Sequence, residues 1–215
     1  MGLTAISIVY SPWGKQSGAH LNPALTLTFY RLGKIDKEDA IFYVFAQVVG
    51  GITGLYCASL VLRSWLQYPT INFVATVPGA PGIFAAFSAE VIITFVLMTT
   101  ILTISNHAKL SHLAGLFAGA LVAIYITFEA PISGMSMNPA RTLASAFFGN
   151  IWTAIWIYFV APPIGMLLAA EAYVRCAGAH KIFCAKLHHQ NDKRCIFRCN
   201  FASINEGNRT NLTSK

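Results

Sequence analysis

Charge is what this 215-residue sequence has least of. Asp, Glu, Lys and Arg make up 11% of the chain against 55% hydrophobic residues. Between positions 40 and 174 the charged residues are Arg63, Glu90, Lys109, Glu129, Arg141 and Glu171. So little charge excludes an ordinary water-facing domain and fits lipid instead. The formal net charge of +7 does not point to nucleic acid, because Lys and Arg gather at 31–37 and after 175, where membrane-flanking segments belong. No secretory leader is expected, since residues 1–10 lack a basic start and no small-residue cleavage site follows them.

Long apolar runs are what the sequence does have. A spanning helix needs about 20 mostly apolar residues, and the stretches 40–62, 83–105, 110–128 and 151–170 meet that requirement. Each ends at charged or turn-forming residues. Pro69, Pro78, Gly79 and Pro81 make 63–82 an extended connection rather than a helix, and 106–109 reads as a short turn. Residues 2–10 are apolar but too short to span, and Pro12 ends them.

Two further pieces are neither spanning helices nor polar loops. Residues 17–33 read SGAHLNPALTLTFYRLG and residues 133–149 read SGMSMNPARTLASAFFG, an internal repeat offset by 116 positions. With three spans between them the two pieces lie on opposite membrane faces, so the repeat is inverted. Lys and Arg bias agrees: Arg31, Lys34, Lys37, Lys109 and the tail share one side, read as cytoplasmic, and Arg63 and Arg141 take the other.

Non-helical backbone survives at membrane depth where protein buries it or where it lines a watery cavity. In each repeat Ser-Gly allows a bent approach strand, Asn22 or Asn138 caps, and Pro23 or Pro139 occupies a first helical turn that needs no N–H. Ala24 or Ala140 then opens a half-helix. Two such half-helices entering from opposite faces present their positive N-termini to each other and repel cations and protons. The asparagine amides donate to a passing water oxygen while carbonyls of the approach strands accept from it.

These motifs resemble the aquaporin, or major intrinsic protein, family. SGAHLNPA and SGMSMNPAR are similar to its two signature loops, and Ala89-Glu90-Val91-Ile92-Ile93-Thr94-Phe95 to its A-E-x-x-x-T-F signature. The resemblance implies an all-α membrane protein: tilted transmembrane helices in an inverted repeat with two re-entrant Asn-Pro-Ala half-helices. It divides the chain into a channel domain over 1–175 and a basic Cys/His-containing cytoplasmic tail over 176–215. It implies a passive channel for water, with small neutral solutes admitted and ions excluded, in a homotetramer in the cell membrane, with no enzyme activity, cofactor or nucleic acid. Arg141, Met135 and Ile126 then form the outer constriction, and Glu90 and His20 support the loops. Water-selective members often carry His where Ile126 stands, whereas glycerol-conducting members have Asp where Thr142 stands. Tyr158 and Phe159, ahead of Pro162, also resemble the water-channel pattern. By the same resemblance the chain starts after the family's first helix and is expected to be incomplete. A glycerol facilitator, a nonconducting fragment and, from another class, a secondary transporter are the alternatives.

The remaining residues carry plainer readings. Glu90 is read as an acceptor for a re-entrant loop's backbone N–H groups rather than a proton relay, and Glu129 as solvated at the outer mouth. Gly50, Gly51, Gly54 and the pair Gly115 and Gly119, a G-x-x-x-G, imply close helix packing within the chain. Of the cysteines, Cys57 lies in an apolar run and Cys176, Cys184, Cys195 and Cys199 lie in the tail, where a cytoplasmic setting keeps them reduced. With His188 and His189 they are metal-capable, but their spacing matches no standard zinc pattern, so no metal is assigned and a solvated or headgroup-associated tail is expected. The sequons at Asn208 and Asn211 are read as chance.

Overall fold

The computed structural model describes residues 1–202, and the sequons lie outside them. Local chemistry explains most helix boundaries. Helix α1 (Gly2–Tyr10) stops where Ser11 accepts from the Gly14 amide at 3.0 Å and caps α2 (Pro12–Ser17). The half-helix α3 (Pro23–Arg31) follows. Asp36 precedes α4 (Lys37–Leu62), whose first turn carries Glu38 and Asp39, where the helix dipole favours negative charge. After α5 (Ser64–Gln67) come α6 (Ile83–Ser105), α7 (Ala114–Phe128), α8 (Ala130–Ser133), the second half-helix α9 (Pro139–Gly149) and α10 (Trp156–Ala177). Four helical stretches are long and apolar enough to cross a membrane: Lys37–Leu62, Ile83–Ser105, Ser111–Phe128 and Trp156–Ala177.

Three of the spans fall where the apolar runs put them, and the last is displaced. It runs from 156 to 177 rather than 151 to 170, because Asn150 in the left-handed region (φ 50°) ends α9 and Ala154 (φ 53°) bends the chain again. The far end extends through the Glu171–Arg175 ion pair, one helical turn apart at 2.9 Å. Pro162 and Pro163 sit inside α10, tolerated because the helix is packed against α6 and Gly165 allows close approach. A Cβ on Gly165 would stand 2.2 Å from Thr94 Oγ1. The connection 63–82, expected to be extended, is instead mostly short helix and turn: α5 and a 3-10 turn, Asn72–Val74, precede an irregular stretch at 75–79.

The inverted arrangement is visible in which loops meet. Arg198 bonds through its amide to the Lys34 carbonyl at 3.1 Å, and its guanidinium pairs with Asp36. The Phe183 amide donates to Asn106 Oδ1 at 2.7 Å. These contacts gather 33–36, the turn after α6 and the tail on one face. On the other face the Gly79 amide donates to the Ile132 carbonyl at 2.8 Å, and Thr76 and Thr142 share a 2.9 Å hydroxyl bond.

Gly115 and Gly119 face α1: a Cβ on Gly119 would lie 2.3 Å from Ile6 Cγ1 and 2.8 Å from the Gly2 carbonyl oxygen. The G-x-x-x-G thus does pack helices within the chain. Two readings are corrected. Glu129 is buried at 8% exposure, because α8 turns back directly over it. The described part of the tail is not wholly solvated: Ile182, Cys184, Ala185, Leu187, Phe197 and Phe201 join the main core, while Asp192, Lys193 and Arg194 stay exposed.

Candidate functional site

The two half-helices meet end to end. Each capping asparagine accepts from its own helix through Oδ1, Asn22 from the Ala24 amide at 2.9 Å and Asn138 from the Ala140 amide at 3.0 Å. That leaves the amino groups pointing away from their own helices, and each crosses to the other repeat. Asn22 Nδ2 donates to the Met137 carbonyl at 2.7 Å, and Asn138 Nδ2 to the Leu21 carbonyl at 2.8 Å. A carboxamide NH₂ carries two protons, so each asparagine still has one donor beyond the crossing bond.

The approach strands obey the same local rule twice. Gly18 and Gly134 both take φ 77°, followed by Ala19 (φ 60°) and Met135 (φ 48°). Ser17 and Ser133 accept from the amides of Ala19 and Met135 at 3.3 and 3.1 Å, tightening both bends. A left-handed residue followed by a second one turns the strand without continuing a helix, and glycine takes the first position without strain.

Long-range clamps then hold the bends. Glu90, wholly buried in α6, takes bonds from Ser133 Oγ at 2.8 Å, the Ser136 amide at 2.6 Å and the Met137 amide at 2.8 Å. It therefore serves the loop backbone. His20 spans the first loop: its Nε2 bonds the Ala185 carbonyl at 2.8 Å, which makes Nε2 the protonated nitrogen and Nδ1 the acceptor for Thr26 Oγ1 at 3.3 Å. Two residues were not recognised as clamps. Tyr43 on α4 donates to the Ser17 carbonyl and Tyr158 on α10 to the Ser133 carbonyl, both at 2.5 Å. A signal existed: Tyr43-Val44-Phe45-Ala46-Gln47 and Tyr158-Phe159-Val160-Ala161-Pro162 are a second, shorter repeat.

Asn22, Asn138, Met135 and Arg141 border a cavity of about 320 Å³, with Leu187 of the tail among its walls. Ile126 packs from α7 against the same core without bordering that cavity. Arg141 is aimed inward with its Nη1 buried and without a hydrogen-bond partner among the described residues. Such a guanidinium donor is costly to leave empty. Thr142, next to Arg141, bonds Thr76 and Ser136 through its hydroxyl.

Fold and site together define an integral membrane protein of all-α architecture, an inverted repeat around two re-entrant half-helices. The family profile described as Major intrinsic protein matches residues 2–173, and the chain belongs to that family. It is similar to Aquaporin NIP2-3 of Zea mays, 39% identical over 173 residues that cover 80% of this chain and 55% of that protein. To Aquaporin NIP1-3 of Oryza sativa subsp. japonica it is 38% identical, covering 80% of this chain and 58% of the other. The chain thus spans between 55% and 58% of these relatives' length. Among solved structures, the aquaglyceroporin from Plasmodium falciparum superposes with a TM-score of 0.67 at 23% identity, covering 83% of this chain and 91% of that one, a likeness of fold.

Proposed function

We propose that this chain builds a passive transmembrane channel that conducts water and admits small neutral solutes while excluding ions and protons, with no catalytic activity. The observation that carries the reading is the reciprocal bonding of Asn22 and Asn138 where the two half-helices abut. Two positive helix ends, each equivalent to about half a charge, oppose cations there. The spare amide protons offer a neutral molecule replacement for its hydration. Arg141, whose Nη1 has no partner among the described residues and which borders the same cavity as Met135, supplies the outer constriction, and Ile126 is its apolar companion. Glu90 and His20 keep the loops in shape without facing the permeant.

Water is favoured over glycerol as the main permeant because Thr142 spends its hydroxyl on Thr76 and Ser136 and offers no carboxylate. The name of the Plasmodium falciparum structure, an aquaglyceroporin, keeps small neutral solutes in the reading. The positive-inside bias makes the tail face cytoplasmic in a cell membrane, and assembly as a homotetramer is carried by the family resemblance.

Stopped-flow swelling and shrinkage of proteoliposomes under water, glycerol and urea gradients tests the reading. Water flux linear in the osmotic gradient is expected, and Arg141→Ala should admit cations and change that flux. Saturable, ion-coupled flux, or an Arg141→Ala variant with unchanged cation exclusion and water flux, overturns it.

A further inference from the structure

The tail brings together ligand types that lie apart in sequence. Cys184, His189, Cys195 and Cys199 place one ligand atom each within 4.8 Å of all the others. The sulfurs of Cys184 and Cys195 are 3.4 Å apart, and His189 Nε2 lies 2.9 Å from the Cys199 sulfur. Tetrahedral zinc, with metal–sulfur bonds of about 2.3 Å and metal–nitrogen bonds of about 2.0 Å, needs ligand separations of about 3.3–3.8 Å. Small side-chain adjustments connect the two arrangements. The order C-x4-H-x5-C-x3-C conceals this, because the loop 190–194 folds back to close the group.

A second observation points independently to a ligand. Each sulfur meets the backbone two residues on: the Lys186 amide donates to Cys184 and the Phe201 amide to Cys199, both at 3.4 Å, and the Phe197 backbone bonds Cys195. Amide donors aimed at sulfur favour thiolates, the metal-binding form. Phe201 stacks on the His189 ring at 4.2 Å and fixes its orientation.

We propose that Cys184, His189, Cys195 and Cys199 bind one thiophilic divalent cation, zinc by the donor chemistry, and that it fixes the fold of the tail segment that packs on the first Asn-Pro-Ala loop. Three thiolates and an imidazole select zinc over magnesium or calcium. Binding forms three metal–sulfur bonds and one metal–nitrogen bond and releases the thiol protons to solvent. The segment between and beside the ligands is the one that touches the loop: the Leu187 amide bonds the Gly18 carbonyl at 3.2 Å, Ala185 receives His20, and the Phe197 ring stacks 5.3 Å from the His20 ring. The site stands independently of what the channel conducts.

The test uses the full chain in detergent with a phosphine reductant, stripped with chelator and titrated with Co²⁺. One equivalent should produce a near-ultraviolet thiolate-to-cobalt band and the strong visible bands of tetrahedral cobalt, bleached by Zn²⁺. Cys57→Ser with Cys176→Ser should keep these bands, and Cys195→Ser with Cys199→Ser should lose the charge-transfer band. Absence of the bands from the unaltered chain, or their survival in the Cys195 and Cys199 variant, overturns the site. Lys193 and Arg194 are exposed in the closing loop, so Zn²⁺ at ten times its Kd should slow tryptic cleavage there on the order of tenfold. An unchanged cleavage rate with metal bound overturns the ordering of the tail.

Discussion

Replacing Glu90 by alanine removes the acceptor for two buried amides, Ser136 and Met137, and for the Ser133 hydroxyl. The hydroxyl can rotate toward another partner, but the amides are fixed by a strand that already holds Met135 and Met137 at positive φ. Each orphaned buried N–H costs about 1–3 kcal/mol, so Glu90→Ala should lose about 2–6 kcal/mol. Glu90→Gln is the discriminating partner. Its carbonyl can keep the Ser133 and Ser136 bonds, but its amino group then faces the Met137 amide, so it should lose one acceptor, about 1–3 kcal/mol. Equilibrium unfolding in mixed detergent–denaturant, followed by helical circular dichroism, reads both values. Osmotic flux should fall in the same order. An alanine variant within about 0.5 kcal/mol of the parent, the range of an inert surface change, would refute the clamp. Unchanged unfolding with altered proton permeation would instead make Glu90 a relay.

Tyr43→Phe and Tyr158→Phe should each cost about 1 kcal/mol. The two should add in the double variant, because they hold different loops; strong non-additivity in the same unfolding assay would contradict separate clamps. Glu129 has both carboxylate oxygens buried, and burial, only partly offset by nearby Ser133, raises its carboxyl from 4.5 to about 7. Across that window the folded state holds a proton that the unfolded state has lost, so stability should fall as pH rises from 4.5 to about 7. Glu129→Gln should flatten the dependence, and a profile identical to that of the parent would remove the residue from this role.

Much of the site could be read from residues alone because its chemistry is local. Asn-Pro-Ala carries its own cap and its own first turn, and Ser-Gly its own bend, so the half-helices at 23 and 139 follow from a few neighbouring residues. Three spans were equally legible, since a lipid-length apolar run is a property of contiguous sequence. The inversion followed from counting them. Glu90 was legible as a loop acceptor because a lone carboxylate in such a run needs donors.

Tertiary structure decided what depends on distant partners. The start of the last span moved to 156 because two left-handed residues, Asn150 and Ala154, bend a stretch whose hydropathy continues without a break. Tyr43 and Tyr158 became clamps only when α4 and α10 packed beside the bends. Glu129 was buried by the turn of α8, and the tail was drawn from solvent by Ile182, Leu187, Phe197 and Phe201. Composition and periodicity govern where a helix can form and what it can face. They carry no information about which carbonyl meets which hydroxyl, or which four ligand atoms meet one another, because those contacts arise only when segments far apart along the chain close the same space.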